Sequence, residues 1–548
     1  MIAFTAGGVL TLSTDFEAVE RALRGGDASH AATLALQAVR AGASHPLVCR
    51  LAAEALERSG ALGEAIGTLR RGLEQAPRDV SLLTALGAGL TRAGRSAEAI
   101  RALRAAVAAD PEAAEAYWRL GEIAAGEGEV DAARAAFERA VQADPAHVEA
   151  LAALAYLLAR TGRAEEARAP AERALARSPA HGVANLAQAS VEIAERRWPE
   201  AEARVQRLLM SPGSTPNLRA AAYGLLGDAR HGAGRAAEAF RAYTTCGLTW
   251  REAHGPRLAA QEDGFVTRLQ DLTDRIARTP ASAWKPMSVE REGPASRHVF
   301  LVGFPRSGTT LLEQVLAAHP AVTTLEEKPT LQALEERYLT TVGGLEELLA
   351  VTPERAARFR REYWERVRGL GGRPDGKVFV DKLPMNLVNL PLIARLFPGA
   401  KVLFALRDPR DVVLSAFRRA FAPNAVMHAF STPEGAARMY DRTMALAETC
   451  KAKMPLELRQ VRYERLVAEF ETEAREICAF LGIGWHPGMA EFAALAQGRT
   501  INTPSAAQVR EGLYRHGEGQ WLAYRAQLAA ILPTLAPWVA RFGYAPSP

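Results

Sequence analysis

Val299-Phe300-Leu301-Val302-Gly303-Phe304-Pro305-Arg306-Ser307-Gly308-Thr309-Thr310 decides how the second half of this 548-residue chain folds. Its first four residues are an uninterrupted apolar run, with the length and β-branching of a strand buried on both faces. Gly303 and Gly308 bracket a tight loop, and Leu311 to His319 follows with helical spacing. A strand, a glycine-flanked loop and a helix aim backbone N–H groups and a helix N-terminus at an anion. The spacing fits the phosphate loop Gly-x-x-x-x-Gly-Lys-[Ser/Thr] except at one position. Thr309 stands where Lys would reach the β/γ-phosphates of a nucleoside triphosphate, and the positive charge has moved into the loop as Arg306. Ordinary ATP or GTP hydrolysis is therefore not expected. The plain alternative is a structural strand-turn-helix with an exposed Arg.

Strands and helices alternate downstream. Val378–Lys382, Lys401–Leu406 and Arg459–Tyr463 read as strands, and Leu387–Phe397 and Asp411–Phe421 as helices. This alternation predicts an α/β domain with a parallel sheet covered on both faces. Ligands of such sheets bind beyond the C-terminal strand ends, where Arg306, Lys382 and Arg407 fall.

The first half has an internal period. Gly26, Gly60, Gly94, Gly128 and Gly162 are 34 residues apart, and the series Ala31 to Ala201 and Pro77 to Pro179 keep the same step. That period is the signature of tetratricopeptide repeats, each a helix pair turned by Gly and ended by Pro. The phase slips once: Arg196 replaces the Gly, and Gly234 arrives four residues late. We expect the insertion near Met210–Pro216. The reading is seven helix pairs over residues 12–250, a helical linker over 251–297 and the α/β domain over 298–548. The fold class is an α-solenoid followed by a phosphate-loop-like α/β domain. The concave face of such arrays suits a protein or peptide partner.

Composition sets bounds. The chain is 48% hydrophobic and 24% charged, with a formal net charge of +5. No long Lys/Arg block is present, so nucleic acid is not an expected partner. Cys49, Cys246, Cys450 and Cys478 are widely separated and show no zinc spacing, so no metal is expected. The N-terminus lacks a basic n-region and no stretch is long enough to span a membrane, which predicts a cytoplasmic protein without a membrane partner.

Residues 298–525 resemble sulfotransferases that use 3′-phosphoadenosine-5′-phosphosulfate (PAPS), most closely the protein-tyrosine sulfotransferases and bacterial sulfotransferases fused to tetratricopeptide repeats. The resemblance rests on Pro305-Arg306-Ser307-Gly308-Thr309-Thr310, His319-Pro320, Glu326-Glu327, Asp381-Lys382-Leu383-Pro384, Arg407-Asp408-Pro409-Arg410, Ser415 and Tyr463. It implies PAPS as co-substrate, no metal, and a hydroxyl acceptor, with a peptide tyrosine as the candidate. The 5′-phosphosulfate would lie on Arg306, Ser307, Gly308, Thr309, Thr310 and Lys382. The 3′-phosphate would lie on Arg407 and Ser415, with Arg419 assisting, and Tyr463 would also reach the nucleotide. Ser505 and Arg510 are further cofactor candidates.

The resemblance makes Glu327 the general base, with Arg306 and Lys382 stabilising the transferring group and the leaving oxygen. Glu326 competes with it, and strand alternation predicts that only one of the two glutamates can face the acceptor. Gly517 and Glu518 depart from the family's closing loop, and Lys328 departs from the usual Thr. His428 and His516 read as loop histidines without a role. Phe421–Pro433 is the segment expected to line the acceptor pocket. Two rival readings stay open: a phosphate-loop kinase, disfavoured by Thr309, and a non-catalytic repeat scaffold, disfavoured by the intact charged set.

Overall fold

The computed structural model describes residues 7–286, 293–419, 424–497, 512–513 and 517–546. The chain divides into two compact units, one of residues 1–159 and 165–188, the other of residues 160–164 and 189–548.

The first unit is built of helix pairs. First helices begin at Val80, Ala114, Val148 and Gly182, and second helices at Leu62, Ser96, Val130 and Ala164, each 34 residues after the last. Small residues let the pairs close up: Ala65, Ala99 and Ala133 are fully buried, beside Leu69, Leu82 and Leu103. The turn glycines Gly26, Gly60, Gly94 and Gly128 all take a left-handed φ between 72° and 81°. Arg196 stands at the same place in its repeat and takes φ 60°. The turn survives there at a backbone cost of roughly 1–2 kcal/mol.

The phase slip is not a loop insertion near Met210–Pro216, as expected from the sequence. Helix α1 (Pro216–Gly232) begins on the 34-residue step. It runs 17 residues where the preceding first helices run 13. Four residues are close to one helical turn, so the extra length keeps the buried face in line.

The second unit holds the helices from residue 189 onward, α1 among them. Helix α2 (Ala236–Arg278) follows α1 and bends at Gly255, φ 66°, just before Pro256. Residues 251–278 of the segment expected to be a helical linker are thus the far half of a long helix. Tyr243, Leu269, Leu272 and Ile276 of α2, with Trp284 beyond it, share one apolar core with Phe300, Phe304 and Leu387 of the sheet domain.

The sheet has five parallel strands in the order β2-β3-β1-β4-β5: β1 (Arg297–Gly303), β2 (Val322–Glu326), β3 (Val378–Lys382), β4 (Lys401–Leu406) and β5 (Glu457–Arg462). β2, an edge strand of mixed polarity, enters the sequence reading only through the strand alternation expected at Glu326 and Glu327, without a range. Helix α3 (Thr309–Ala317) follows the loop after β1, and α4 (Pro409–Phe417) follows β4. Helices α5 (Ala425–Phe430) and α6 (Pro433–Lys453) pack against α2.

Polar contacts seal the seam between α2 and the sheet domain. Buried Glu262 meets His428 Nδ1 at 2.6 Å and pairs with Arg438. His428 is therefore a buried helical residue with a partner, not a loop histidine. Asp228 of α1 accepts from the Tyr243 hydroxyl at 2.9 Å and pairs with Arg419 at 3.0 Å, directly beyond α4. A Cβ on Gly247 would lie 1.9 Å from the Ser431 carbonyl oxygen. Gly247→Ala must therefore push α2 off the domain, and a loss of about 1–3 kcal/mol is expected, read by urea unfolding of parent and variant. An unchanged midpoint would show that α2 is not seated there.

Candidate active site

All the anion-site candidates that the structure describes, Arg419 excepted, gather at the C-terminal ends of the strands. The loop after β1 carries Arg306 at φ 77° and Gly308 at φ 91°, and Gly308 caps α3. Ser307, Thr309 and Thr310 are buried around it. A Cβ on Gly308 would come 2.8 Å from the Tyr463 ring, so the loop closes only on glycine. Arg306 Nε donates to Ser415 Oγ at 3.1 Å, bringing together two residues assigned by resemblance to different phosphates.

Arg407, just past β4, donates from Nη1 to the Arg306 carbonyl at 3.2 Å and from Nη2 to the Gly517 carbonyl. Its guanidinium lies 5.1 Å from the Tyr463 ring centroid. Its Nε is buried and has no hydrogen-bond partner among the described residues. A buried donor left over in this way is costly unless a ligand meets it. Together with the glycine-only loop it fits a phosphate-bearing nucleotide. The closing loop is fixed over Arg407 because Asp411 accepts from the Gly519 and Trp521 N–H groups at 2.7 and 2.8 Å. Burial pushes the Asp411 carboxyl up to about 6, against the pull of Arg407. The glycine at 517 has a packing reason: a Cβ there would lie 2.7 Å from the Tyr463 hydroxyl.

Lys382 ends β3 with its side chain fully buried. Its Nζ lies 2.9 Å from Glu327, 3.1 Å from Glu313 and 3.4 Å from Glu326. Burial alone would lower its pKa, but Glu313, Glu327 and Glu326 outweigh that and raise it, so the ammonium keeps its charge. Strand alternation does not separate the two adjacent glutamates. β2 ends at Glu326, and Glu327 turns to φ 48° while its N–H donates to the Lys382 carbonyl at 2.6 Å. Both carboxylates then reach the same ammonium. A left-handed glutamate is strained backbone, the kind held at functional sites by its surroundings. The Glu327 side chain is 38% exposed and that of Glu326 13%, so Glu327 is the more accessible.

Behind Lys382, Asp381 accepts from the Thr330 and Tyr363 hydroxyls at 2.6 and 2.8 Å, and the Tyr363 hydroxyl meets His298 Nε2 at 2.8 Å. Burial pushes Asp381 up to about 6 and His298 down to about 3. This network holds the end of β3. His319 follows the end of α3 and steadies the turn into β2, its Nδ1 accepting from the Ala321 N–H at 3.0 Å.

Arg419 is not brought to this cluster but is turned to Asp228. Ser505, Arg510 and His516 lie outside the described residues, as do Phe421, Ala422 and Pro423 of the expected acceptor segment. Ala425 of that segment lines a cleft of about 710 Å³ with Phe265, Arg268, Arg275 and Val342. None of Arg306, Glu327, Lys382 and Arg407 lines it. Glu313 is the residue that sequence reasoning missed. No described helix is long and apolar enough to cross a membrane.

Both halves of the chain resemble known proteins. Residues 298–487 match the sulfotransferase family, and residues 84–147 and 124–181 match the tetratricopeptide repeat. An uncharacterized protein of Aquifex aeolicus is 30% identical over 254 residues, covering 45% of this chain and 33% of its own length. Protein-tyrosine sulfotransferase 1 of Danio rerio is 27% identical over 265 residues, 45% of this chain and 72% of its own. A tetratricopeptide repeat protein of Parabacteroides merdae covers 44% of this chain and 92% of its own, with 17% identity and a TM-score of 0.34. The chain carries a domain of the sulfotransferase family behind an array of tetratricopeptide repeats.

Proposed function

We propose that the α/β domain transfers the sulfuryl group of PAPS to a hydroxyl acceptor, with a peptide tyrosine as the candidate. The observation that carries this reading is the fully buried Lys382 ammonium, 2.9 Å from the accessible Glu327, at the strand ends that also hold the Arg306 loop. The sulfotransferase match and the protein-tyrosine sulfotransferase relatives support it. We assign the 5′-phosphosulfate to the loop N–H groups, Thr309, Thr310 and Lys382, and the 3′-phosphate to Arg407 and Ser415. Arg306, now on Ser415, would turn to the transferring group.

In the transfer, the acceptor oxygen bonds to sulfur as the sulfur–phosphate oxygen bond breaks. Glu327 takes the acceptor's proton, and the freed phosphate carries away the bond's electrons. Charge grows on the leaving oxygen, where Lys382 and the helix N-terminus stabilise it. The repeats would select the acceptor chain or another protein partner.

Ligand binding tests the cofactor assignment without needing the acceptor. Adenosine 3′,5′-bisphosphate should raise Tm in the absence of Mg²⁺, with ~2.7 kcal/mol of stabilisation at a hundredfold excess over Kd. AMP should do much less, because it lacks the phosphate meant for Arg407 and Ser415. Arg407→Ala should erase the difference between the two ligands. Equal stabilisation by ATP with Mg²⁺ would favour a kinase instead.

A further inference from the structure

The proposed transfer gives Glu313 neither a phosphate to hold nor the acceptor's proton to take. It sits on α3, its side chain 1% exposed, with Oε2 3.1 Å from Lys382 Nζ. One buried ammonium thus faces three carboxyl groups, from α3, from the end of β2 and from the bend after it. The three are not alike: Glu327 is accessible, Glu326 is part-buried, and Glu313 is closed off from solvent, where an ionised carboxyl is strongly disfavoured. The deepest is Glu313, and burial pushes it up to about 8, with Glu326 and Glu327 adding to the rise and Lys382 opposing it.

We propose that Glu313 is a positioning residue for the transfer step: it holds Lys382 from beneath and carries the cluster's proton, so that Lys382 is shared by only two charged partners. The inference rests on the sulfuryl-transfer reading of this site. When Glu327 accepts the acceptor's proton, Lys382 loses one of those partners as charge grows on the leaving phosphate oxygen. The ammonium is then free to follow that charge. At alkaline pH Glu313 ionises, becomes a third anionic partner, and holds Lys382 back.

The raised value fixes the sign of the stability effect. The contribution of Glu313 is full below the ordinary glutamate range and is lost as pH rises through about 8. Full-length protein with Glu313→Gln keeps an oxygen toward Lys382 but cannot ionise. Without any ligand, its Tm should gain on the parent steadily from about pH 5 to about pH 9. In turnover, the parent's kcat should fall above about pH 8, and Glu313→Gln should remove that fall. Glu313→Ala should lower kcat at neutral pH about tenfold or more with acceptor KM within about twofold, because the lysine is misplaced rather than the substrate. Glu313→Gln should recover most of that loss.

Parallel Tm profiles for parent and Glu313→Gln would overturn the proton assignment. A Glu313→Ala variant with the parent's kcat, or with the loss confined to KM, would overturn the positioning role. A parent that transfers no sulfuryl group to any hydroxyl acceptor would instead overturn the functional reading, and the Tm profiles would still report on Glu313.

Discussion

Glu327→Gln should lower single-turnover sulfuryl transfer by roughly 10²–10⁴, the usual share of a positioned general base. Nucleotide affinity should stay close to the parent's, since the assigned phosphate contacts come from Arg306, Thr309, Thr310, Lys382, Arg407 and Ser415. Glu327 is the proposed base because its carboxylate is the more accessible of the two that meet Lys382 at the mouth of the cluster. Glu326→Gln should cost less, though not because it faces away: it touches the same ammonium at 3.4 Å, and its loss loosens Lys382. Acidic acceptors such as nitrophenols should suffer least from Glu327→Gln, since they need little help in losing a proton. The measurement is nucleotide binding and single-turnover transfer on both variants in parallel. If Glu326→Gln is the damaging change and Glu327→Gln is silent, the base is Glu326.

The second large effect is a failure to fold. A fragment of residues 280–548, which keeps the whole expected α/β domain but drops the long helix, should be insoluble or molten and should bind no nucleotide. It lacks α2, whose Tyr243, Leu269, Leu272 and Ile276 belong to the core that holds Phe300 and Phe304. Losing a buried aromatic alone costs about 3–5 kcal/mol, and the net stability of a domain is only about 5–15 kcal/mol. A fragment of residues 178–548 keeps α1, α2 and the pairs Asp228–Arg419 and Glu262–His428, and should bind adenosine 3′,5′-bisphosphate like the full chain. If the upstream repeats select the acceptor, that fragment should lose turnover on the natural acceptor and keep it on small phenols. A soluble, nucleotide-binding 280–548 fragment would show that α2 is dispensable.

Local patterns explain what the sequence makes legible. The strand, loop and helix around Arg306 announce themselves in twelve residues, and the repeat period survives in Gly, Ala and Pro positions. What stays hidden depends on long-range contact. Leu258–Arg278 reads as an amphipathic helix, which says that one face is buried and not what covers it. Glu313 reads as one more polar residue on a helix until β3 brings Lys382 against it. Arg419 looks like an aid to Ser415 by helical spacing, yet it lies past the end of α4 and meets Asp228. The alternation rule misjudges Glu326 and Glu327 because β2 stops between them and the backbone turns left-handed. β2 itself is short, and its middle residues Thr323 and Thr324 are polar enough to pass for a loop.

The additional turn of α1 has an evolutionary side. From Pro46 to Pro216 every first helix starts on an unbroken step, so one whole unit can be lost or duplicated there and each surviving junction still joins like to like. Lineages can therefore change the length of the array at that end as one lengthens a ruler. The unit that is out of step cannot be traded in this way. Four added residues carry the start of α2 ~6 Å further along the axis of α1, and α1 also bears Asp228. That last pair of helices is bound to the sheet domain by its own contacts, whatever number of repeats precedes it.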